Sequence, residues 1–139
     1  MYRIFLVFVV VMISLTVVTA QTNNKLTAAS VARGKMIYLQ RCMVCHQADG
    51  GGVPNLNAPL DGSSAVKGAD ITKLVKNIVK GLADRVEIDG EFYSNAMPAA
   101  DDLKDQQIAD VLTFIRSSWT NKVGSVTLAQ VKQIRSKLK

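Results

Sequence analysis

The residues of this chain best suited to chemistry sit within one short stretch. Its two cysteines and its one histidine fall together in Cys42-Met43-Val44-Cys45-His46, a C-x-x-C-H run with the spacing of covalent haem attachment. Two thiols three positions apart on one helical turn can bond to the two vinyl-derived carbons at neighbouring edges of a porphyrin. The imidazole that follows is carried to the iron, so anchoring and proximal ligation come from a single turn of chain. Other chemistries fit less well. A structural zinc site wants four Cys or His ligands, and three in adjacent positions sit too close to wrap one tetrahedral ion. A redox-active C-x-x-C pair ordinarily accompanies a βαβ pattern, which is missing here. A plain structural disulfide is the remaining alternative.

If His46 takes one face of the iron, the sequence limits what can take the other. With no second histidine and both cysteines used, methionine is the candidate. Outside the first 20 residues the methionines are Met36, Met43 and Met97. Met43 lies between the two cysteines and cannot reach the far face of a ring bonded to them, and Met36 lies upstream on the proximal side. Met97, 51 residues after His46, stands in Tyr93-Ser94-Asn95-Ala96-Met97-Pro98. There Pro98 removes a donor and biases Met97 toward an extended conformation, which suits a loop whose thioether points inward. The competing reading is a methionine that fills the core.

Positioning these groups falls to a mostly helical chain. Thr27 is placed to cap a first helix over residues 28–45, with Val31, Met36, Ile37 and Leu39 as candidate buried positions. Ile71, Leu74, Val75, Ile78 and Val79 form an i, i+3, i+4, i+7, i+8 stripe that predicts a helix from Asp70 to Lys80, stopped by Gly81. Ile108, Val111, Leu112 and Ile115 predict another from Asp105 to Trp119. Between them, Asp89-Gly90 flanked by alternating residues is a hairpin signal over Val86–Tyr93. Thr127-Leu128-Ala129-Gln130 reads as a capping box that opens a last helix, with Leu128, Val131, Ile134 and Leu138 on one stripe. That helix is expected to pack on the domain, and its basic face leaves docking to a partner or a membrane surface as the alternative.

Residues 1–20 carry Arg3, then an apolar run from Ile4 to Val18, and close on Val18-Thr19-Ala20, the small-residue pattern of signal-peptide cleavage. An uncleaved membrane anchor is the rival, but the run is shorter than the ~20 apolar residues a span requires. The chain is expected to be periplasmic or otherwise exported, or membrane-anchored if this segment is not cleaved, with a linker over 21–27 before the domain. Without the leader, 16 basic and 11 acidic residues remain, a net charge of +5. A basic surface of this kind solubilises the protein or steers it toward an acidic face on a partner. Nucleic acid is a poor fit, since the basic residues are scattered rather than gathered in one run.

Taken in order, these motifs resemble a class I c-type cytochrome. They are Gly34 and Tyr38 on the first helix, Cys42, Cys45 and His46, then Val53-Pro54-Asn55-Leu56, Met97-Pro98, and Val111-Leu112-Thr113-Phe114-Ile115 on the last core helix. The likeness covers residues 28–119 and leaves 120–139 as a helical extension. It implies an all-α cytochrome c fold of four to five helices around one covalent haem c, with a small hairpin before the methionine loop. It also implies that Gly34 lets the first helix cross the last against Phe114, and that the Pro54 carbonyl accepts a hydrogen bond from His46. The hairpin and the segment Ile115-Arg116-Ser117-Ser118-Trp119 resemble small cytochrome modules associated with quinoprotein dehydrogenases and terminal oxidases. By that likeness Tyr93 or Trp119 reaches a haem propionate, or is an aromatic packed at the haem edge. The chain departs from the resemblance at Lys104, where a Ser or Thr would cap the last helix.

The function expected is single-electron transfer by an iron closed with His46 and Met97. Its partners would be a dehydrogenase, an oxidase or another cytochrome, and the chain itself would be no enzyme. The competing class is a haem enzyme or ligand sensor with an open sixth position.

Overall fold

The computed structural model describes residues 27–138; the leader expected over 1–20 lies outside the described residues. The chain order is α1 (27–41), α2 (Met43–His46), α3 (Ser64–Lys67), α4 (Thr72–Lys80), β1 (Val86–Ile88), β2 (Glu91–Tyr93), α5 (Asp105–Ser117) and α6 (Leu128–Ser136). The helices exceed the four or five expected because α2 and α3 are single turns, too short to show a hydrophobic period. The first helix expected over 28–45 is interrupted at Cys42. Thr27, expected to cap this helix, is the first described residue.

The crossing of α1 and α5 organises the core. On α1 the inward positions are Val31, Gly34 and Tyr38, spaced i, i+3, i+7, with Tyr38 only 1% exposed. Met36 and Leu39 were expected to be buried, but they project from the other side of this stripe and are 56% and 40% exposed. Gly34 is where the helices meet. A Cβ there would lie 2.5 Å from the Asp110 carbonyl carbon and 2.9 Å from the Phe114 Cβ, distances no side chain tolerates. The glycine expected at the crossing is thus required, and its nearest neighbour is the α5 backbone.

Asp110, 2% exposed, fastens the crossing. It accepts from Arg33 Nε at 2.6 Å and Nη2 at 2.9 Å, from Ser30 Oγ at 2.6 Å and from Gln106 Nε2 at 3.0 Å. Burial alone would raise its pKa, but these hydrogen bonds outweigh that and hold the carboxyl below its usual range.

The remaining elements pack around α5. Val75, Ile78 and Val79 of α4 and Ile108, Val111, Leu112 and Ile115 of α5 are buried as their stripes require. Helix α4 starts at Thr72 because Asp70 Oδ1 accepts the Thr72 N–H at 2.8 Å from outside it. At the start of α5, Lys104 has no acceptor to offer, and the cap is supplied from the other side: Gln107 Oε1 accepts the Lys104 N–H at 2.9 Å. The hairpin pairs Val86 with Tyr93 and turns through Asp89 (φ 54°) and Gly90 (φ 85°), the left-handed pair of a type I′ turn.

Helix α6 opens with the expected capping box, Thr127 N–H to Gln130 Oε1 at 2.8 Å and Gln130 N–H to Thr127 Oγ1 at 3.3 Å. It packs against α4 and α5, burying Val131 completely. Arg135 anchors its far end on the Leu103 and Asp101 carbonyls at 2.6 Å each and on Asp105 at 3.1 Å. Among the described residues no helix is long and apolar enough to cross a membrane.

The Asp110 cluster makes stability depend on acid. A depressed carboxylate pKa contributes stability that is complete above the ordinary carboxylate value and lost as pH falls through the folded-state value. Denaturant unfolding of the haem-loaded protein should show stability declining below about pH 5, and Asp110→Asn should flatten that decline by about 1 kcal/mol or more. An equal decline in both proteins would contradict this role.

Candidate haem-binding site

The turn that carries the C-x-x-C-H residues is made by continuing α1 one step past its end. Cys42 N–H still bonds to the Tyr38 carbonyl at 2.9 Å, and His46 N–H bonds to the Cys42 carbonyl at 3.0 Å. Gln47 then takes a positive φ of 61° and stops the helix. Its carbonyl accepts the Tyr38 hydroxyl at 2.5 Å, so the loop after His46 is tied back to α1.

Cys42, Cys45 and His46 line one side of a cavity of about 280 Å³. Leu74 and Ile78 of α4, Val111, Leu112 and Ile115 of α5, and Val86, Ile88 and Tyr93 of the hairpin line it as well, and Met97 closes it from the later loop. The walls are mostly apolar, as a largely buried aromatic ring system needs.

His46 is held by one hydrogen bond, Nδ1 to the Ala58 carbonyl at 2.9 Å. A carbonyl only accepts, so Nδ1 must carry the proton, which leaves the Nε2 lone pair available. Burial lowers the His46 pKa against the opposing effect of that bond, keeping the imidazole neutral, the form that ligates metal. The partner is therefore Ala58 and not Pro54, which is exposed. Two Pro-containing segments follow the motif, and the residue before each proline favours the extended backbone, so local sequence does not separate them.

Cys42 is pushed up to about 11, chiefly by burial, with Cys45 adding to the rise and Arg41 opposing it. A thiol that stays protonated at neutral pH is the reverse of the low-pKa thiolate that a C-x-x-C redox catalyst uses.

The Met97 segment is fixed through its backbone. Met97 and Leu82 form an antiparallel bridge, with Leu82 N–H to the Met97 carbonyl at 2.9 Å and Met97 N–H to the Leu82 carbonyl at 2.8 Å. Ala100 N–H adds a bond to the Ile78 carbonyl at 2.7 Å. Gly81 permits the approach: its φ is 72°, and a Cβ there would lie 2.6 Å from the Met97 carbonyl oxygen. The helix-stopping glycine read from the sequence is also what lets the methionine loop dock.

Of the two aromatics expected at the haem edge, Tyr93 is buried and lines the cavity. Trp119 does not line it. Its indole N–H donates to the Ala48 carbonyl at 3.1 Å, and its ring packs against Tyr38 and Phe114, 5.4 and 5.7 Å between centroids. That commitment removes it from a propionate role. It clamps the loop after His46, where Gly50 sits directly on its face. Asn57 was not singled out in the sequence. It lines the cavity and donates to the Cys45 carbonyl at 3.0 Å.

Paired thiols, a neutral imidazole with Nε2 available, a thioether on a separate segment and an apolar cavity bounded by all of them form a donor set that fits a covalent haem. Gly81→Ala tests the docking of the methionine loop. It should destabilise the haem-loaded protein by about 1–3 kcal/mol in denaturant unfolding, whereas an unchanged midpoint would mean that the loop does not need the close approach.

The family model for cytochrome c matches residues 31–119. The chain is similar to the cytochrome c subunit of alcohol dehydrogenase (quinone) from Gluconacetobacter polyoxogenes, 38% identical over 125 residues, which are 82% of this chain and 25% of that protein. It is similar to cytochrome c-552 of Thermus thermophilus, 35% identical over 118 residues, 79% of each chain. It also resembles the gluconate 2-dehydrogenase cytochrome c subunit of Pantoea cypripedii, 34% identical over 108 residues, 73% of this chain and 24% of that one. The chain spans about a quarter of the length of the dehydrogenase subunits it matches.

Proposed function

The chain belongs to the cytochrome c family, whose domains carry one covalent haem c and transfer electrons, and from that premise we propose that it is a closed-iron, single-electron carrier. Cys42 and Cys45 would hold the haem as thioethers, His46 Nε2 and Met97 Sδ would ligate its iron, and Tyr93 would line its cavity. When bound, the haem supplies reversible one-electron chemistry at its iron.

The observation that carries this reading is the arrangement across one cavity. His46 has Nδ1 committed to Ala58, while Met97 stands on a segment pinned by the Leu82 bridge. A neutral imidazole and a thioether add no charge to offset ferric iron, and the thioether favours the ferrous state, so this pair raises the reduction potential relative to two histidines. With His46 and Met97 both committed to the iron, the protein would leave no position open to substrate, and the haem would supply outer-sphere transfer of one electron. Val44, 81% exposed, and Ala96, Pro98 and Ala99, also exposed, border the cavity and mark the edge where a partner would approach.

The partners we infer are a dehydrogenase, an oxidase or another cytochrome, reached outside the cytoplasm after removal of residues 1–20. Lys73, Lys76 and Lys80 form an exposed stripe on α4, which carries no acidic residue, and this stripe suits an acidic docking face. The rate of oxidation by the anion hexacyanoferrate should fall as ionic strength rises; a flat or rising profile would remove electrostatic steering from the account.

A haem enzyme or ligand sensor would need Met97 off the iron. The ferric protein should instead be low-spin, with the weak far-red charge-transfer band of a thioether ligand. Met97→Ala should abolish the band, let the ferrous protein bind carbon monoxide and lower the reduction potential. A high-spin wild-type protein that binds carbon monoxide readily would favour the open-iron reading.

A further inference from the structure

The segments bearing the two proposed ligands come from opposite sides of the cavity and are joined by the side chain of Asn57. Its own backbone is pinned first. Val53 N–H bonds to the Asn57 carbonyl and Asn57 N–H to the Val53 carbonyl, both at 2.8 Å, closing a tight loop over residues 53–57. Gly52, at φ 66°, leaves the space this loop occupies.

From that fixed base, Asn57 Nδ2 donates to the Cys45 carbonyl at 3.0 Å, and Oδ1 accepts from Asn95 Nδ2 at 2.7 Å. The two partners fix the orientation of the amide: a carbonyl requires the NH₂ group, and Asn95 Nδ2 then meets the oxygen. A backbone seam runs beside this link. Ser94 N–H bonds to the Asn55 carbonyl at 3.1 Å, and Asn95 N–H to the Leu56 carbonyl at 2.9 Å. Cys45 directly precedes His46, and Asn95 is two residues before Met97.

We propose that Asn57 is a positioning residue for Met97, tying the methionine segment to the haem-attachment turn and so setting how readily the thioether leaves the iron. This rests on Met97 being the sixth ligand. Another contact joins the same two sides, the bidentate pair of Arg41 and Asp102 at 2.8 and 2.9 Å. Its side chains are 42% and 60% exposed, and exposed ion pairs contribute little. Asn57 is partly buried on the cavity wall, and its bond to the Cys45 carbonyl is part-buried, where a lost hydrogen bond is less readily replaced by water; its bond to Asn95 lies at the surface beside the backbone seam.

The test is competition by imidazole for the ferric iron of the haem-loaded protein, followed by loss of the far-red band. Asn57→Ala should raise the apparent imidazole affinity about tenfold, as expected when one or two hydrogen bonds holding the competing ligand are lost. Asn95→Ala acts at an exposed side chain that tolerates substitution. It should shift affinity in the same direction, and the double variant should exceed the larger single effect only slightly, because the two residues form one link. Val131→Ala, which loosens the α6 core away from the cavity, should lower stability and leave imidazole affinity within about twofold.

If the wild type has the band and neither asparagine variant changes imidazole affinity by more than Val131→Ala does, the role of Asn57 is overturned while Met97 ligation stands. If the wild type lacks the band, the ligation reading fails, and the role of Asn57 fails with it.

Discussion

The closest approach in the core, α1 against α5 at Gly34, sets the frame for the rest of the molecule. A side chain there would overlap the α5 backbone at Asp110, and the buried carboxylate of that same residue then fastens the crossing through Arg33 and Ser30. Because the helices meet at this point, Tyr38 lies one turn further on against Phe114, and the Cys42–His46 turn emerges beside the apolar face of α5. Contact at one residue therefore becomes the placement of a haem-binding wall. A larger residue at Gly34 would displace that wall along with the helix.

The second wall is placed by different means. The Met97 segment has no regular secondary structure, yet it is held at both ends by backbone hydrogen bonds, to Leu82 and Ile78 on the α4 side and through Asn95 and Ser94 on the side of the 53–57 loop. Loops that carry functional groups are usually the mobile parts of a fold. Here the loop borrows rigidity from a helix stop and from a neighbouring loop. A rigid loop suits the sixth-ligand role proposed for Met97, since little would have to move when the charge on the iron changes.

What the sequence made legible follows from the range of the interactions involved. Helices α4, α5 and α6 and the hairpin announce themselves through local period, caps and an Asp-Gly turn, and they stand where expected to within a residue or two. The Cys42–His46 run was readable as a candidate attachment turn because the chemistry it offers is contained in five consecutive residues. The assignments that moved depend on contacts between distant segments. Pro54 and Ala58 both lie in Pro-containing stretches, and only the path of the chain decides which carbonyl meets His46. Trp119 is near the edge of the domain in sequence, but its indole is claimed by Ala48, 71 positions away. Asn57 carried no local signal, since an asparagine in a Gly- and Pro-rich stretch reads as a turn residue.

The central claim is that one imidazole and one thioether close the iron. X-ray absorption at the iron edge of the ferric, haem-loaded protein tests this directly. The account predicts a first shell of five nitrogens and one sulfur scatterer. A shell of nitrogen and oxygen alone, or a five-coordinate iron, would contradict it.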